Sequence, residues 1–355
     1  MYDLTIIIPT YNEVLNIHSI VDQLQSFFSS HSLNGEILII DDNSPDGTIT
    51  EIRKIQMSMP DLHLIVRENE RGLSSAVVEG FRKADSNLFF VIDADGSHDL
   101  KILWNMYLLV RYDFDIVIGS RYVEHGGING WPLKRRILSF GATFLGRLLV
   151  PSIHDPVSGF FAVRKSVVEN APLKPRGYKI LLEILGKGNW KTYIEVPYTF
   201  TERKQGSSKL KGKVIAEYAY QVLDNYWYRW NRIIKFLIVG ASGILINEGG
   251  LILLSGFIPL PVASAVSIEL SILSNFTWND RWTFQSHDLS FDHWYQRLAL
   301  FQIVCVVGGL INFGILTALV YLVGIDYRIA NLIGIALAFI WNYSMSKKVT
   351  WQKKS

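Results

Sequence analysis

The first part of the chain alternates short apolar runs with amphipathic segments. The apolar runs predict five strands, at Thr5 to Ile8, Glu36 to Ile40, His63 to Val66, Leu88 to Ile92 and Asp115 to Ile118. The amphipathic segments predict helices at Asn16 to Ser29, Thr48 to Met57, Leu73 to Ala84 and Leu100 to Val110. Runs without alternation, such as residues 37 to 40, suit a sheet covered on both faces. The pattern therefore predicts an α/β fold with a mostly parallel sheet.

The pattern changes beyond Ile233, where long apolar stretches follow one another. Four of them predict membrane-spanning helices, at Ile233 to Ile258, Val262 to Asn275, Leu298 to Val323 and Ile329 to Tyr343. The first is long enough to cross about 30 Å of hydrocarbon at about 1.5 Å per residue. The second and fourth are short, so each could instead be a buried core helix.

An internal repeat favours four spans. Phe236, Gly243 and Asn247 recur at the same spacing as Phe301, Gly308 and Asn312. The Asn-aromatic pair at Asn275 and the later Thr283 recur at Asn342 and Thr350. Each unit is then a helical pair, and the second copy supports the two short spans.

These patterns predict three segments: a first domain over residues 1–212, an amphipathic interface helix over 213–232 and an all-α membrane domain over 233–355. The middle segment carries several tyrosines and tryptophans beside basic residues, a composition typical of membrane interfaces. Basic residues also flank the predicted spans on the side of both chain termini, and the N-terminus has no pattern of a secretory signal. We expect the first domain and both termini to face the cytosol.

Overall charge and cysteine content exclude several classes of function. The chain has 35 Lys and Arg against 32 Asp and Glu, a net charge of +3 that does not indicate a nucleic-acid partner. Its single cysteine, Cys305, excludes a disulfide framework and a cysteine metal cluster.

Polar side chains gather where the predicted strands end. The clusters are Pro9 to Glu13, Asp41 to Gly47, Asp93 to His98 and Gly119 to Tyr122. In open α/β sheets, ligands bind beyond the carboxyl ends of the strands. Four clusters at four strand ends therefore predict one binding site.

The acidic pair Asp93-Ala94-Asp95 suits a divalent cation that holds a substrate diphosphate. Mg²⁺ and Mn²⁺ prefer carboxylate and phosphate oxygens, and one or two protein carboxylates suffice when the substrate supplies the rest. Alone, such a pair is more often a solvated turn that caps a helix. The position of this pair among the other polar clusters favours a metal site over a solvated turn.

The other two acidic clusters are less specific. Asp42 follows a strand, where a carboxylate could accept hydrogen bonds from a base or ribose, although the turn after it has a structural composition. Pro9 to Glu13 combines a rigid turn, an aromatic ring and a carboxylate, and suits a stacked base. It could equally be an ordinary helix start with Asn12 as the N-cap.

These motifs resemble glycosyltransferase family 2, with its GT-A fold, and within it the dolichyl- and polyprenyl-phosphate mannose synthases. The four-helix tail is similar to the GtrA-like membrane domain of some prokaryotic members. The resemblance covers nearly the whole chain. It rests on PTYNE at Pro9, DDNSPDGT at Asp41, GLSSAV at Gly72, DADGSH at Asp93, GSRY at Gly119, DPVSGFF at Asp155 and GSSK at Gly206.

The resemblance implies roles for individual residues. Asp93, Asp95 and Arg203 would be catalytic, and Asp95 would bind Mg²⁺ or Mn²⁺. Many relatives have Gln where this chain has Ser97, a weaker ligand that would complete the metal site. The sugar nucleotide would contact Pro9, Tyr11, Glu13, Ile40, Asp42, Asp93, Ala94, Asp95, Lys179 and Arg203.

The acceptor side is implied in the same way. Arg121, Arg135 and Ser139 match positions that hold a lipid phosphate, and guanidinium groups bind phosphate through paired hydrogen bonds. Arg136 is more simply a headgroup contact, and the apolar stretch from Ile137 to Val150 could lie in the membrane interface.

Taken together, the expected reaction is inverting transfer of mannose from GDP-mannose to dolichyl or polyprenyl phosphate at a lipid bilayer. One alternative is glucose transfer from UDP-glucose to the same lipid. Another, from a different class, is a translocator of lipid-linked sugars whose first domain only binds. The Asp93/Asp95 pair and Arg203 argue against the translocator, because mere binding requires no stabilisation of a leaving group.

Overall fold

The computed structural model describes residues 1–174, 177–201, 212–285 and 293–352. The chain divides into two compact units, Met1–Arg229 and Trp230–Ser355. The first unit mixes strands with helices, and the second contains helices only over its described residues.

Strands and helices alternate through the first unit. The strands are β1 Leu4–Thr10, β2 Gly35–Asp41, β3 Leu62–Val66, β4 Leu88–Val91, β5 Ile116–Ser120, β6 Gly127–Asn129, β7 Phe161–Arg164, β8 Tyr193–Pro197 and β9 Thr199–Thr201. The helices are α1 Ile17–Ser30, α2 Thr48–Gln56, α3 Leu73–Lys83, α4 Leu103–Tyr112, α5 Leu133–Leu149, α6 Lys165–Val168 and α7 Ile180–Lys187. All five predicted strands are present. The helix predicted from Leu100 begins instead as a 3₁₀ turn, Leu100–Ile102, in which the Lys101 amide donates to the Asp99 side chain.

Seven strands form the main sheet, in the order β3-β2-β1-β4-β7-β5-β8. Only β7 runs antiparallel to its neighbours, so the prediction of a mostly parallel α/β sheet is confirmed. Because β7 runs the other way, it begins at the edge where β1, β2, β4 and β5 end. The loop before β7 therefore reaches the same edge as the four predicted polar clusters.

Two apolar cores cover the faces of this sheet. Side chains alternate along β1, so Ile6 and Ile8 enter one core and Ile7 the other, and all three are fully buried. A strand buried on both faces has no polar side to show, which explains the runs without alternation in the sequence.

The second unit contains the remaining helices. They are the end of α8 Gly212–Leu254, then α9 Leu260–Trp278, α10 Trp294–Tyr321 and α11 Tyr327–Met345, with π-helical turns at Asn279–Thr283 and Ser346–Thr350. Four segments among the described residues are long and apolar enough to cross a membrane. The second and fourth each reach 24 residues once their π-turns are included, and only 17% and 22% of their most apolar windows are buried. This exposure argues against buried core helices.

One boundary differs from the prediction. The segment predicted as a separate interface helix, 213–232, is the beginning of α8, which continues without a break to Leu254. The two compact units divide between Arg229 and Trp230, inside this helix. Before that division α8 is fastened to the first unit, since Tyr218 Oη donates to Ala142 O at 2.6 Å and Arg229 to Leu149 O at 2.9 Å.

Candidate active site

The acidic pair lies at the end of β4, in a tight turn. Ser97 N donates to Asp95 Oδ1 at 3.1 Å, and Gly96 takes a positive φ of 70° that favours glycine. The amide of Asp93 donates to His98 Nδ1 at 3.2 Å, so the proton of the neutral ring lies on Nε2. His98 stacks on Phe160 at 4.7 Å, and burial lowers its pKa to about 4. A neutral imidazole thus supports the turn that presents both acids.

The residues of this turn fit a divalent cation. They offer two carboxylates and the Ser97 hydroxyl, which is buried and lacks a hydrogen-bond partner among the described residues. Within those residues no group of three or more acidic, histidine or cysteine side chains could enclose a metal alone. Such a cation would therefore take further ligands from a substrate diphosphate, as Mg²⁺ commonly does.

Asp41 ends β2 and Asp42 follows it, but the two acids have different surroundings. Asp41 is fully buried and accepts hydrogen bonds from Thr10 Oγ1 and Ser44. Asp42 Oδ1 accepts hydrogen bonds from both Nε and Nη2 of Arg67, and Asp42 Oδ2 accepts one from Gly72 N at 2.7 Å. Both acids therefore hold loops at the sheet edge, and the donor contact predicted for Asp42 stays a prediction.

The segment after β1 has an unusual backbone. Asn12 adopts a positive φ of 61° and is not a helix N-cap, since α1 begins five residues later, at Ile17, with Asn16 as its N-cap residue. Its amide donates to Ser44 Oγ at 2.9 Å, and Glu13 N to Thr48 Oγ1 at 3.0 Å. Tyr11 lies beside them, with the Arg71 guanidinium 5.1 Å from its ring centre.

Two predicted donor contacts lie in the strands themselves, and a third lies in the turn after β4. Pro9 pairs with Ile40 in the register of β1 and β2, and Ile40 is fully buried. Ala94 is 3% exposed in the turn after β4. Any contact from Ile40 or Ala94 would therefore come mainly from the backbone.

Arg121 forms the most buried ion pair of the site. Its Nε and Nη2 donate to Asp155 Oδ2 and Oδ1 at 2.7 and 2.8 Å, and Asp155 is fully buried. The nearby carboxylate raises the pKa of Arg121 against the opposing effect of burial. Glu195 holds Asp155 in place, because Glu195 Oε1 accepts a hydrogen bond of 2.9 Å from the backbone amide of Asp155. This pair occupies two of the hydrogen-bonding directions of the guanidinium.

Arg135 and Ser139 lie one turn apart on α5, beside Arg121. The Arg135 guanidinium stacks 4.3 Å from the centre of Trp131, and the same ring lies 5.6 Å from that of Arg121. Ser139 Oγ is 3.1 Å from Tyr122 Oη, and the Tyr122 ring lies 5.4 Å from Arg121. The structure thus brings the three predicted acceptor residues together around two aromatic rings.

Lys179 immediately precedes α7, near the charged groups of Asp93, Arg121 and Asp155. Burial and then the Arg121 guanidinium lower its pKa to about 8, whereas Asp155 and Asp93 act in the opposite direction. Gln221 on α8 donates to its carbonyl oxygen at 2.9 Å and fixes the backbone. Arg203, the other cation predicted for the donor, lies outside the described residues.

We expect this low pKa to appear in the pH dependence of donor use. Lys179 is charged below pH 8 and loses its charge as the pH rises, so kcat/KM for the donor should fall about tenfold per unit above pH 8. Lys179→Arg should remove this fall, because arginine stays charged. Lys174→Arg, at an exposed lysine, is the control and should keep the wild-type profile. An unchanged profile for Lys179→Arg would contradict the assignment.

Comparison with known proteins agrees with this geometry. Residues 5–171 match the family described as "Glycosyl transferase family 2", and residues 235–351 match "GtrA/DPMS, transmembrane domain". A protein of Pyrococcus furiosus named dolichol-phosphate mannosyltransferase is 44% identical over 98% of this chain and 99% of its own length. The chain belongs to glycosyl transferase family 2. It is a glycosyltransferase and a membrane protein.

Two further relatives are more distant. The polyprenol monophosphomannose synthase of Mycolicibacterium smegmatis is 35% identical over 62% of this glycosyltransferase and 85% of its own length. Among solved structures, glucosyl-3-phosphoglycerate synthase of Mycobacterium tuberculosis is 18% identical, with a TM-score of 0.47, over 64% of this chain and 80% of its own. The assignment to the family rests on the sequence relatives and not on that structure.

Some residues of the site were not singled out by the sequence. Asp155 was visible only as part of a matched motif, and its role as the partner of Arg121 requires the antiparallel entry of β7. Trp131 and Phe200 come from two separate segments and meet beside Arg135, 4.3 and 5.8 Å from its guanidinium. A tryptophan directly before a basic helix was the only local signal.

Proposed function

We propose that this glycosyltransferase moves mannose from GDP-mannose to dolichyl or polyprenyl phosphate, with inversion at the anomeric carbon. The observation that carries the proposal is the relative at 44% identity, named dolichol-phosphate mannosyltransferase and matched from end to end. The polyprenol monophosphomannose synthase supports the same class of acceptor. The geometry adds an acidic pair at the edge of the sheet and two arginines, Arg121 and Arg135, that both lie against the ring of Trp131.

The donor half of the site is assigned to the ends of β1, β2 and β4. Asp93, Asp95 and Ser97 would hold a divalent cation, Mg²⁺ or Mn²⁺, which when bound offsets negative charge on the diphosphate. Lys179 adds a positive charge below pH 8 on the side of Asp93. Tyr11 offers a ring for the base, and Arg203 completes the donor contacts by resemblance alone.

The acceptor half is assigned to Arg121, Arg135 and Ser139. A lipid phosphate is already an anion at neutral pH, so one of its oxygens can attack the anomeric carbon without a general base. The bond from that carbon to the diphosphate breaks as the new bond forms, and GDP leaves with the electron pair. Arg135, held flat by Trp131, would fix the attacking phosphate with paired hydrogen bonds.

The same proposal places the first unit and both chain termini on one side of the membrane. Basic residues precede the first span, flank the loop between the second and third spans and follow the fourth span; they are Arg229, Arg232, Lys235, Arg281, Arg297, Lys347 and Lys348. By the positive-inside rule, the first unit and both termini face the cytosol. Modifying engineered single cysteines near Pro259 and Asp326 from outside intact cells would test this orientation.

The identity of the substrates can be tested with the purified enzyme. We expect labelled GDP-mannose to give a labelled lipid phosphate product with polyprenyl phosphate, and UDP-glucose to give little. Labelled lipid from UDP-glucose alone would support glucose transfer instead. Donor binding without any transfer would support the translocator.

Arg135→Ala should separate the two halves of the site. The loss of a charge-assisted hydrogen bond should raise KM for polyprenyl phosphate about 10- to 100-fold, with little change in the Kd of GDP-mannose. Arg136→Ala removes the adjacent exposed arginine and should change both values less than about threefold. If Arg135→Ala weakened donor binding while the acceptor KM stayed constant, the acceptor assignment would be wrong.

A further inference from the structure

The sequence repeat of the membrane unit is also a repeat of contacts. Phe284 and Trp351 hold equivalent positions in the two copies, and their rings stack on each other at 4.5 Å and 10°. Phe276 lies 6.0 Å from Trp351, and its equivalent Tyr343 lies 6.2 Å from Phe284. Each contact between copies therefore has a counterpart with the copies exchanged, and the Phe284–Trp351 stack lies at the centre.

The first helices of the two copies follow the same symmetry. Phe301 contacts Phe276 at 6.0 Å, and its equivalent Phe236 contacts Tyr343 at 5.5 Å. The backbones approach in the same way within each copy, since Gly243 abuts Asn275 and Gly308 abuts Asn342. The membrane unit is therefore built with an internal pseudo-two-fold axis.

One polar contact breaks this symmetry. Arg297 on α10 donates through Nε and Nη2 to Asp280 at 2.8 and 2.9 Å, and Trp351 Nε1 donates to the same carboxylate at 2.8 Å. The repeat makes Arg232 the equivalent of Arg297 and Lys347 the equivalent of Asp280. Where one side of the axis has an arginine paired with an acid, the equivalent positions on the other side therefore hold an arginine and a lysine.

The contacts that the structure describes agree with this placement. Phe236, one turn after Arg232 on α8, contacts Tyr343, one turn before Lys347 on α11, at 5.5 Å, so both cations lie one turn beyond this contact. Both cations are exposed, whereas Arg297 and Asp280 are half-buried. Among the other described acids of this unit, Glu269 accepts a hydrogen bond from Gln302 at 2.6 Å. Glu248 is 16 residues from Arg232 along α8 and Asp326 is 21 residues from Lys347 along α11, about 24 and 32 Å at the helical rise.

We propose that Arg232 and Lys347 bind the phosphate group of a membrane lipid, which takes the place that a carboxylate holds on the other side of the axis. Two cations at the position of an ion pair repel each other unless an anion bridges them, and guanidinium and ammonium groups both bind phosphate. The surface beside them is apolar, with Leu237 55% and Ile340 59% exposed. The ligand is therefore an amphiphile with a phosphate head.

The test restores the missing carboxylate. Lys347→Asp recreates the Arg–Asp pair of the other side, so the variant should fold and keep its lipid-free Tm, while its affinity for a phospholipid should fall about tenfold or more. Lys348→Asp makes the same charge change one residue away, at an exposed position, and is the matched control. The measurement is native mass spectrometry of the full chain in neutral detergent, titrated with phosphatidylglycerol.

The outcomes separate a defined site from general attraction. Loss of the tightest bound lipid in Lys347→Asp but not in Lys348→Asp supports the site. Equal losses in both variants would show only the attraction of a basic surface to anionic lipid and would overturn the proposal. Parallel titrations use polyprenyl phosphate and inorganic phosphate. Displacement of the bound phosphatidylglycerol by equimolar inorganic phosphate would overturn the assignment to a lipid.

Discussion

Asp95→Asn is expected to lower kcat by roughly 10²- to 10³-fold, the largest catalytic effect that we predict for one side chain. The carboxylate would bind the cation that offsets charge on the departing diphosphate, and an amide carries no charge to hold it. The change is isosteric, and an amide oxygen can still accept the hydrogen bond that Ser97 N donates to Oδ1 of residue 95. We therefore expect the fold to survive.

Metal binding gives this prediction a second measurement. Mn²⁺ titrated in the presence of GDP should bind the wild type and fail to bind Asp95→Asn at the same concentration. Asp99→Asn is the matched control, because Asp99 only caps a turn through Lys101 N and asparagine caps equally well. Undiminished turnover of the wild type in excess chelator would refute the metal assignment.

Arg121→Leu is expected to destabilise the first unit more than any other change at the site. It leaves the carboxylate of Asp155, which is fully buried, without its cation. Breaking a buried pair by removing one partner costs about 3–5 kcal/mol, which should lower the unfolding temperature of the catalytic unit by about 10 °C. Thermal unfolding of the full chain in detergent would measure it.

The double variant Arg121→Leu/Asp155→Leu distinguishes the stranded charge from lost packing. Replacing both partners with apolar side chains is often nearly neutral, so we expect it to recover most of the lost unfolding temperature. A double variant as unstable as Arg121→Leu would contradict the explanation. For the same reason, a change in acceptor KM in Arg121→Ala would mix binding with folding, and Arg135 is the cleaner test of the phosphate site.

The location of the site was predictable from the sequence, since it follows from the direction of the strands. In a parallel sheet the carboxyl ends meet at one edge, so polar residues after β1, β2, β4 and β5 had to lie together. The turn after β4 was equally predictable, because Asp93 and Asp95 belong to one short segment. The membrane unit was predictable because its apolar length and repeat are properties of the chain itself.

The partners of the site residues were not predictable. Asp155 and Arg121 are 34 residues apart, and they meet only because β7 enters the sheet in reverse. The pairing of Asp42 with Arg67 likewise depends on how β2 and β3 align. Such pairs depend on strand order and register, which no periodicity of the chain encodes.

The sequence by itself thus determined the fold class, the edge of the sheet where the candidate site residues gather and the four apolar helices, because these depend on residue type and spacing. Only the tertiary structure decided which groups surround each charge. The sequence predicts the same role for Arg121 and Arg135, yet Arg121 is paired with the buried carboxylate of Asp155 and Arg135 is stacked on Trp131. The physical reason is that the burial and pairing of a charge depend on residues distant in the chain.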